Sequence, residues 1–193
     1  PTTDDRQPTT DLTEPVDKLG VSTADLFRIV STPVVGAVIF TKNNQTIVRY
    51  VDRATGHIYD TDLATLAKTK ITNQTLPKIY EAYFRPDGNA VLLRSLKDDS
   101  DVVENLSLAL TPPKATSTDE QLYAVSSTLL RGDISAVATL SGNTLVYALR
   151  DTSSIVSSAF NGTGRRTLLT SIFTDWRLIA AGNSLIVYTK AGA

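Results

Sequence analysis

The sequence predicts an all-β chain of repeated four-stranded antiparallel units behind an N-terminal linker. Three observations predict it. Short β-rich segments follow one another from Leu26 onward, the turns between them recur at a near-constant interval, and no segment keeps a helical period over three turns, the short "LATLAKTK" coming nearest.

The linker comes first. Residues 1–22, "PTTDDRQPTTDLTEPVDKLGVS", carry prolines at 1, 8 and 15, many Thr and Asp, and no aromatic residue. Such a segment has too little apolar surface to offset the entropy of ordering it. A disordered linker is therefore expected over residues 1–25 and the folded domain over 26–193. The chain has no methionine, even at position 1, which is read as the loss of an N-terminal portion; an anchor or signal is expected in that missing part. No apolar run approaches the roughly 18–20 residues of a membrane helix, the longest being of the kind "VVGAVIF".

The strands follow in order: "LFRIV", "VVGAVIF", "TIVRYV", "HIYDTDL", "IYEAYF", "AVLLRSL", "ISAVATL", "TLVYAL", "SIVSSAF", "TLLTSIF", "WRLIAAG" and "SLIVYT". They are rich in Val, Ile, Thr and Tyr and are separated by Asn, Gly, Asp and Pro. "NQTIV", "GNAVL", "GNTLV" and "GNSLI" align as turns that open a strand. Taking Ile47, Val91, Leu145 and Leu185 as equivalent, the intervals are 44, 54 and 40 residues, close to the period of a four-stranded propeller blade, about 40–50 residues.

A second strand pair follows each of the first three hairpins: "GHIYDTDL" with "LAKTKIT", "DVVENLSLAL" with "QLYAVSS", and "SSIVSSAFN" with "RRTLLTS". The Pro- and Thr-rich insertion Thr111 to Glu120 explains the longest interval and reads as a surface loop. "TIVRYV" and "TLVYAL" are nearly continuous apolar runs, so burial on both faces is expected, as for strands between neighbouring blades. The expected architecture is a β-propeller-like array of four-stranded antiparallel blades. Residues 34–72, 79–127 and 133–170 supply three units and 172–189 the first hairpin of a fourth, about three and a half blades of a larger ring. In a compact alternative the "LFRIV" strand completes the last blade. An open ring leaves terminal edges available for pairing with another chain.

Composition excludes several function classes. With 19 basic and 20 acidic residues the chain carries a formal charge of -1, so it has no electrostatic footprint for nucleic acid. Without cysteine it can form neither disulfides nor thiolate metal sites. One histidine, His57, rules out a multi-histidine metal centre.

"YEAYFRPDGNAVLLRS" resembles the repeat of TolB-type, WD40-like propellers, in which an aromatic strand precedes a Pro-Asp-Gly turn and an apolar strand. "NGTGRRTLLTS", residues 161–171, is similar to the outer hairpin of those repeats. "IVRYVDRATGHIYDTDL", "LPKIYEAYF" and "FTDWRLIAAGNSLIVYTK" more narrowly resemble propeller-bearing cell-envelope proteins of candidate-phyla bacteria, which are tethered by an N-terminal membrane segment and a low-complexity linker. The resemblance implies an extracytoplasmic, cell-surface location and no particular activity.

Each candidate site has a structural reading beside it. "RPDG", Arg85 to Gly88, has the chemistry of a type I turn, with Asp87 capping nearby amides. His57 lies in a hairpin strand, and no G-x-S-x-G elbow accompanies it. Asp98, Asp99 and Asp101 could present oxygen ligands to Ca²⁺ but lack an EF-hand's glycine and distal glutamate. Asp60 and Asp62 share a strand face. "RGD", Arg131 to Asp133, falls where one blade joins the next. Sequons stand at Asn44, Asn73, Asn105 and Asn161. No residue is assigned a catalytic, cofactor-binding or metal-binding role.

The expected function is a non-enzymatic extracytoplasmic binding or assembly module that acts through propeller loops or exposed blade edges. Its expected partners are a protein or a second copy of itself, with a glycan as a further possibility, no nucleic acid, and a membrane only through the missing anchor. Two rivals remain. A propeller hydrolase or lyase would bring two or more of Glu81, Asp87, Glu104 and Asp151 within about 10 Å of one another. A β-sandwich adhesin would stack the hairpins as two sheets.

Overall fold

Each strand pairs with its neighbour in sequence, always antiparallel. The computed structural model describes residues 28–97, 102–113 and 122–189. Strands β1 (Val34–Lys42), β2 (Gln45–Asp52), β3 (Ile58–Asp62) and β4 (Lys68–Lys70) form a first sheet in that order. The second contains β5 (Ile79–Phe84), β6 (Ala90–Leu96), β7 (Val103–Thr111) and β8 (Ala124–Leu129). The third contains β9 (Ile134–Leu140), β10 (Thr144–Leu149), β11 (Ser154–Ser158) and β12 (Arg166–Thr170). A hairpin of β13 (Trp176–Ala181) and β14 (Ser184–Thr189) follows.

The chain is all-β among the described residues, and its four-stranded sheets coincide with the three units read from the turns. "LATLAKTK" forms a turn and the short β4. Of the expected "LFRIV" strand, Arg28, Ile29 and Val30 form no strand, while Leu26 and Phe27 lie outside the described residues. The linker at 1–25, the insertion between Pro113 and Leu122, and the Asp98, Asp99 and Asp101 group also lie outside them.

Side chains alternate between the two faces of a strand, and three apolar seams show how the faces are used. Val51 and Ile58 of the first sheet meet Val91, Leu93 and Leu108 of the second. Ala90 and Leu92, on the second sheet's other face, meet Leu145, Tyr147 and Leu149 of the third. Val146, Ala148 and Ile155 then meet Trp176, Leu178, Leu185 and Val187 of the terminal hairpin. The second and third sheets thus each have a face toward the preceding unit and a face toward the following one. These three successive seams differ from the single seam of a two-sheet sandwich.

The seams correct one detail of the repeat. Val91, Leu145 and Leu185 all face the preceding unit, but Ile47 is on the same face as Val51, toward the next one. Counted from the residue that closes each hairpin, Gln45, Ala90, Thr144 and Ser184, their counterpart is Thr46. The hairpin loops differ in length, with two residues between the paired Lys42 and Gln45 and three between Leu140 and Thr144. A one-residue slip exchanges the faces of a strand, so aligning by turn letters misplaces the first unit. Its loop, Asn43 and Asn44, has φ of 51° and 62°, as a tight two-residue hairpin turn requires.

The first strands of successive units also lie together: β1 contacts β5, β5 contacts β9, and β9 contacts β13. Gly36 permits the first of these contacts. A Cβ there would stand 2.1 Å from the carbonyl oxygen of Ala82 on β5, so only a residue without a side chain allows so close a backbone approach.

Candidate functional site

Two arginines in otherwise apolar strands join the sheets. Arg49 of β2 is fully buried. It grips Asp60 on β3 at two points, 2.6 and 2.7 Å, from the position directly opposite in the register. Its remaining donors reach the carbonyl of Gly88 in the β5–β6 turn at 2.8 Å and the hydroxyl of Tyr123 at 3.0 Å. The guanidinium also lies over the rings of Phe40 and Tyr123, 5.0 and 4.7 Å from their centroids, a cation–π arrangement. Burial opposes the Arg49 charge, but the Asp60 contacts outweigh it and leave its pKa raised.

Arg94 does the same one sheet later. Its Nε donates to Asn105 across the sheet at 3.1 Å, its Nη1 pairs with Glu81 at 2.7 Å, and its Nη2 donates to the carbonyl of Ile134, the first residue of β9, at 2.9 Å. Tyr83 donates to the same Glu81 oxygen at 3.2 Å. Its own pKa is raised, by burial first and by the Glu81 charge second. Sequence reasoning missed both arginines as organising residues. Their signal was an Arg inside an apolar run ("TIVRYV", "AVLLRS"), because a strand buried on both faces admits a cation only with partners across the sheet.

"RPDG" is a turn that also bridges units. Gly88 N–H donates to the Arg85 carbonyl at 2.8 Å. Arg85 clasps Asp87 at 2.6 and 2.8 Å, and Asp87 accepts from the backbone N–H of Asn89 at 2.9 Å. Burial works to raise the Asp87 pKa, but the Arg85 hydrogen bond and the Asn89 amide outweigh it and hold it below the ordinary carboxylate value. Arg85 also reaches Asn143 in the β9–β10 turn at 3.2 Å. Gly88 has a φ of 73°, and a Cβ there would lie 2.6 Å from the Phe40 ring. One turn therefore receives Arg49 from the first sheet and sends Arg85 to the third.

The four carboxylates of the hydrolase reading occupy different places. Glu81 is paired with Arg94. Glu104 is opposite Ser95 in the register, whereas Arg94 is opposite Asn105, so Glu104 projects from the other face of the sheet. Asp87 is in the turn beyond the far end of β5 from Glu81. Asp151 is in the β10–β11 turn, where its backbone N–H contributes to holding Asp133 ionised. None of the three principal clefts is lined by more than one of them.

The other motifs are likewise absorbed by local structure. In "RGD", Arg131 and Asp133 clasp each other at 2.7 Å through both pairs of atoms, so neither charge diverges toward a receptor. Asp133 is held below its ordinary pKa, chiefly by that Arg131 hydrogen bond. His57 precedes β3 and its Nε2 is 3.2 Å from the Thr75 hydroxyl. Of the sequons, Asn105 is fully buried, its side chain accepting from Arg94 and donating to the Arg131 carbonyl. Asn44, Asn73 and Asn161 are exposed. Asp98, Asp99 and Asp101 are outside the described residues, and among the described ones no cluster of acidic or histidine side chains is arranged to hold a metal.

A cleft and an apolar surface are open to a partner. A cleft of about 710 Å³ lies beside the Arg49–Asp60 pair, bordered by Lys42, Asp62, Thr69, Pro113 and Tyr123. The second feature is the terminal hairpin. Among the described residues β14 pairs only with β13, and the hairpin face turned away from the third sheet exposes Ile179, Ile186 and Tyr188 at 48%, 51% and 47%. Ile172 and Phe173 on the adjoining connection are also exposed. Chemically, these surfaces offer hydrogen bonding and apolar burial.

No protein-family model matches this chain, and no curated protein is significantly similar to it. Among the described residues, no helix is long and apolar enough to cross a membrane.

Proposed function

We propose that the chain is a non-enzymatic binding or assembly module, a propeller-like radial array that self-associates through its terminal hairpin. One observation carries this reading. Among the described residues, the face of the β13–β14 hairpin turned away from the third sheet leaves Ile179, Ile186 and Tyr188 about half exposed. The equivalent forward faces of earlier sheets, represented by Val51, Leu92 and Val146, are fully buried. An edge strand with an apolar face is a template for pairing.

The radial arrangement is supported by the serial contacts of β1, β5, β9 and β13 and by the likeness of "YEAYFRPDGNAVLLRS" to TolB-type repeats. That likeness, with the Pro/Thr-rich N-terminal segment, also supports placing the module at the extracytoplasmic face of a cell envelope, tethered from upstream. Fractionation of cells expressing the complete reading frame tests the location, and recovery in the cytosol would refute it.

Self-association is tested by sedimentation velocity over a wide concentration range. The parent chain is expected to associate, and Ile186→Glu, which places a charge on an already exposed position, is expected to remain folded and monomeric. A parent chain that stays monomeric throughout, or an Ile186→Glu variant that associates equally well, would refute the reading.

A further inference from the structure

We propose that the cleft beside Arg49 and Asp60 is a binding site for a neutral polyhydroxylated ligand, a saccharide. This goes beyond the assembly reading and does not depend on it. The cleft's volume, about 710 Å³, is within the roughly 300–1,000 Å³ of small-molecule sites.

The hydrogen-bonding state of Tyr123 is the starting point. The residue is 8% exposed, and its phenolic oxygen accepts from Lys42 Nζ at 2.9 Å and from Arg49 Nη2 at 3.0 Å. With both acceptor positions engaged, the hydroxyl hydrogen is left to donate, and it has no acceptor among the described residues. Tyr123 lines the cleft, so this donor is available to whatever enters it.

Asp62 supplies the complementary group. Its Oδ1 accepts from the backbone amides of Ala64 and Thr65 at 2.7 and 3.1 Å, while its Oδ2 has no partner among the described residues. Asp62 and Tyr123 both line the cleft, together with Lys42. A hydroxyl group both accepts and donates through a single oxygen. A row of them accepts from Tyr123 and Lys42 and donates to Asp62, while the exposed Pro112 and Pro113 along the same cleft offer apolar surface to the C–H faces of a sugar ring.

Charge selects against ionic ligands. Lys42 and Arg49 are matched by Asp60 and Asp62, and Arg49 is already committed to Asp60. An anion entering the cleft meets two carboxylates, and an amine meets two cations. Neither gains a net field, whereas a neutral polyol is not penalised.

The test is a ¹H–¹⁵N titration of the whole chain with malto-, cello- and chito-oligosaccharides separately, and with inorganic phosphate as the ionic comparison. The expected result is saturable shifts confined to the amides around Lys42, Asn43, Gln45, Thr65 and Thr69 with at least one saccharide. Tyr123→Phe retains the ring and is expected to weaken that binding about tenfold, the loss of one hydrogen bond to a buried donor. The proposal is overturned if none of the saccharides gives saturable shifts, if the shifts map elsewhere, if phosphate binds the same amides more tightly, or if a folded Tyr123→Phe chain binds undiminished.

Discussion

Arg49 on β2 and Asp60 on β3 face each other across the first sheet and meet through two bonds, Nε to Oδ1 at 2.6 Å and Nη2 to Oδ2 at 2.7 Å. The pair is buried in the seam with the second sheet, and the same guanidinium donates to the Gly88 carbonyl beyond it. Removing the acid alone strands a buried cation. Asp60→Asn is therefore expected to destabilise the chain by about 3–5 kcal/mol in urea unfolding. Replacing both residues with apolar ones, Arg49→Met with Asp60→Leu, is expected to recover much of that loss. A single substitution costing less than the double would overturn this account.

Acid weakens the chain through the two Arg-x-Asp clasps. The pKa values of Asp87 and Asp133 are lowered in the folded state, so their contribution is fully present above the unfolded carboxylate value, about 3.9. It is lost as pH falls through the lower folded value. Thermal midpoints should be level near neutrality and decline below about pH 4. Asp133→Asn, which removes the less exposed of the two carboxylates, should make that decline shallower. An unchanged acid slope in Asp133→Asn would show that the clasp is not coupled to folding.

Gly36→Ala tests the approach of the first strands. The added methyl group would sit 2.1 Å from the Ala82 carbonyl oxygen, and a backbone atom cannot turn aside as a flexible side chain can. The expected cost is about 1–3 kcal/mol, the range for overpacking, read as a lower thermal midpoint. A neutral substitution would mean that β1 and β5 are farther apart.

Trp176 is the only tryptophan, and it packs with Val146, Ala148 and Ile155 in the last seam. That seam contains no inter-sheet arginine like Arg49 or Arg94 among the described residues, and the hairpin it secures has two strands among those described. The terminal hairpin is therefore expected to open before the rest. Tryptophan fluorescence should change at lower urea than the circular dichroism of the sheets, and Ile155→Ala should widen the gap between the two transitions. Coincident transitions would show one cooperative unit instead.

Much of the fold was legible in the sequence because its signals are local. The turns at Asn43–Asn44, Gly88, Gly142 and Gly182 mark hairpins, and the strands between them have no competing helical period, so the three four-stranded units could be bounded to within a few residues. "RPDG" was legible as a turn for the same reason: Asp87 caps the amide two residues along. The candidate surfaces were not legible. Asp60 and Asp62 were visible as a same-face pair, but nothing nearby in sequence indicates that Arg49 neutralises one and that Tyr123, 63 residues after Asp60, closes the cleft.

By itself, the sequence determined that the chain is all-β and repeats, and that thiol chemistry and multi-histidine metal sites are closed to it. These follow from composition and from periodicities only a few residues long. Tertiary structure alone decided which face of each strand looks forward or back. That depends on where each hairpin closes, and counting from the closing pair moves the counterpart of Val91 and Leu145 from Ile47 to Thr46. It also decided the fate of the charges. An arginine buried between sheets is stable only where a carboxylate from the next strand and a carbonyl from the next unit converge on it, and that convergence exists only once the sheets have packed.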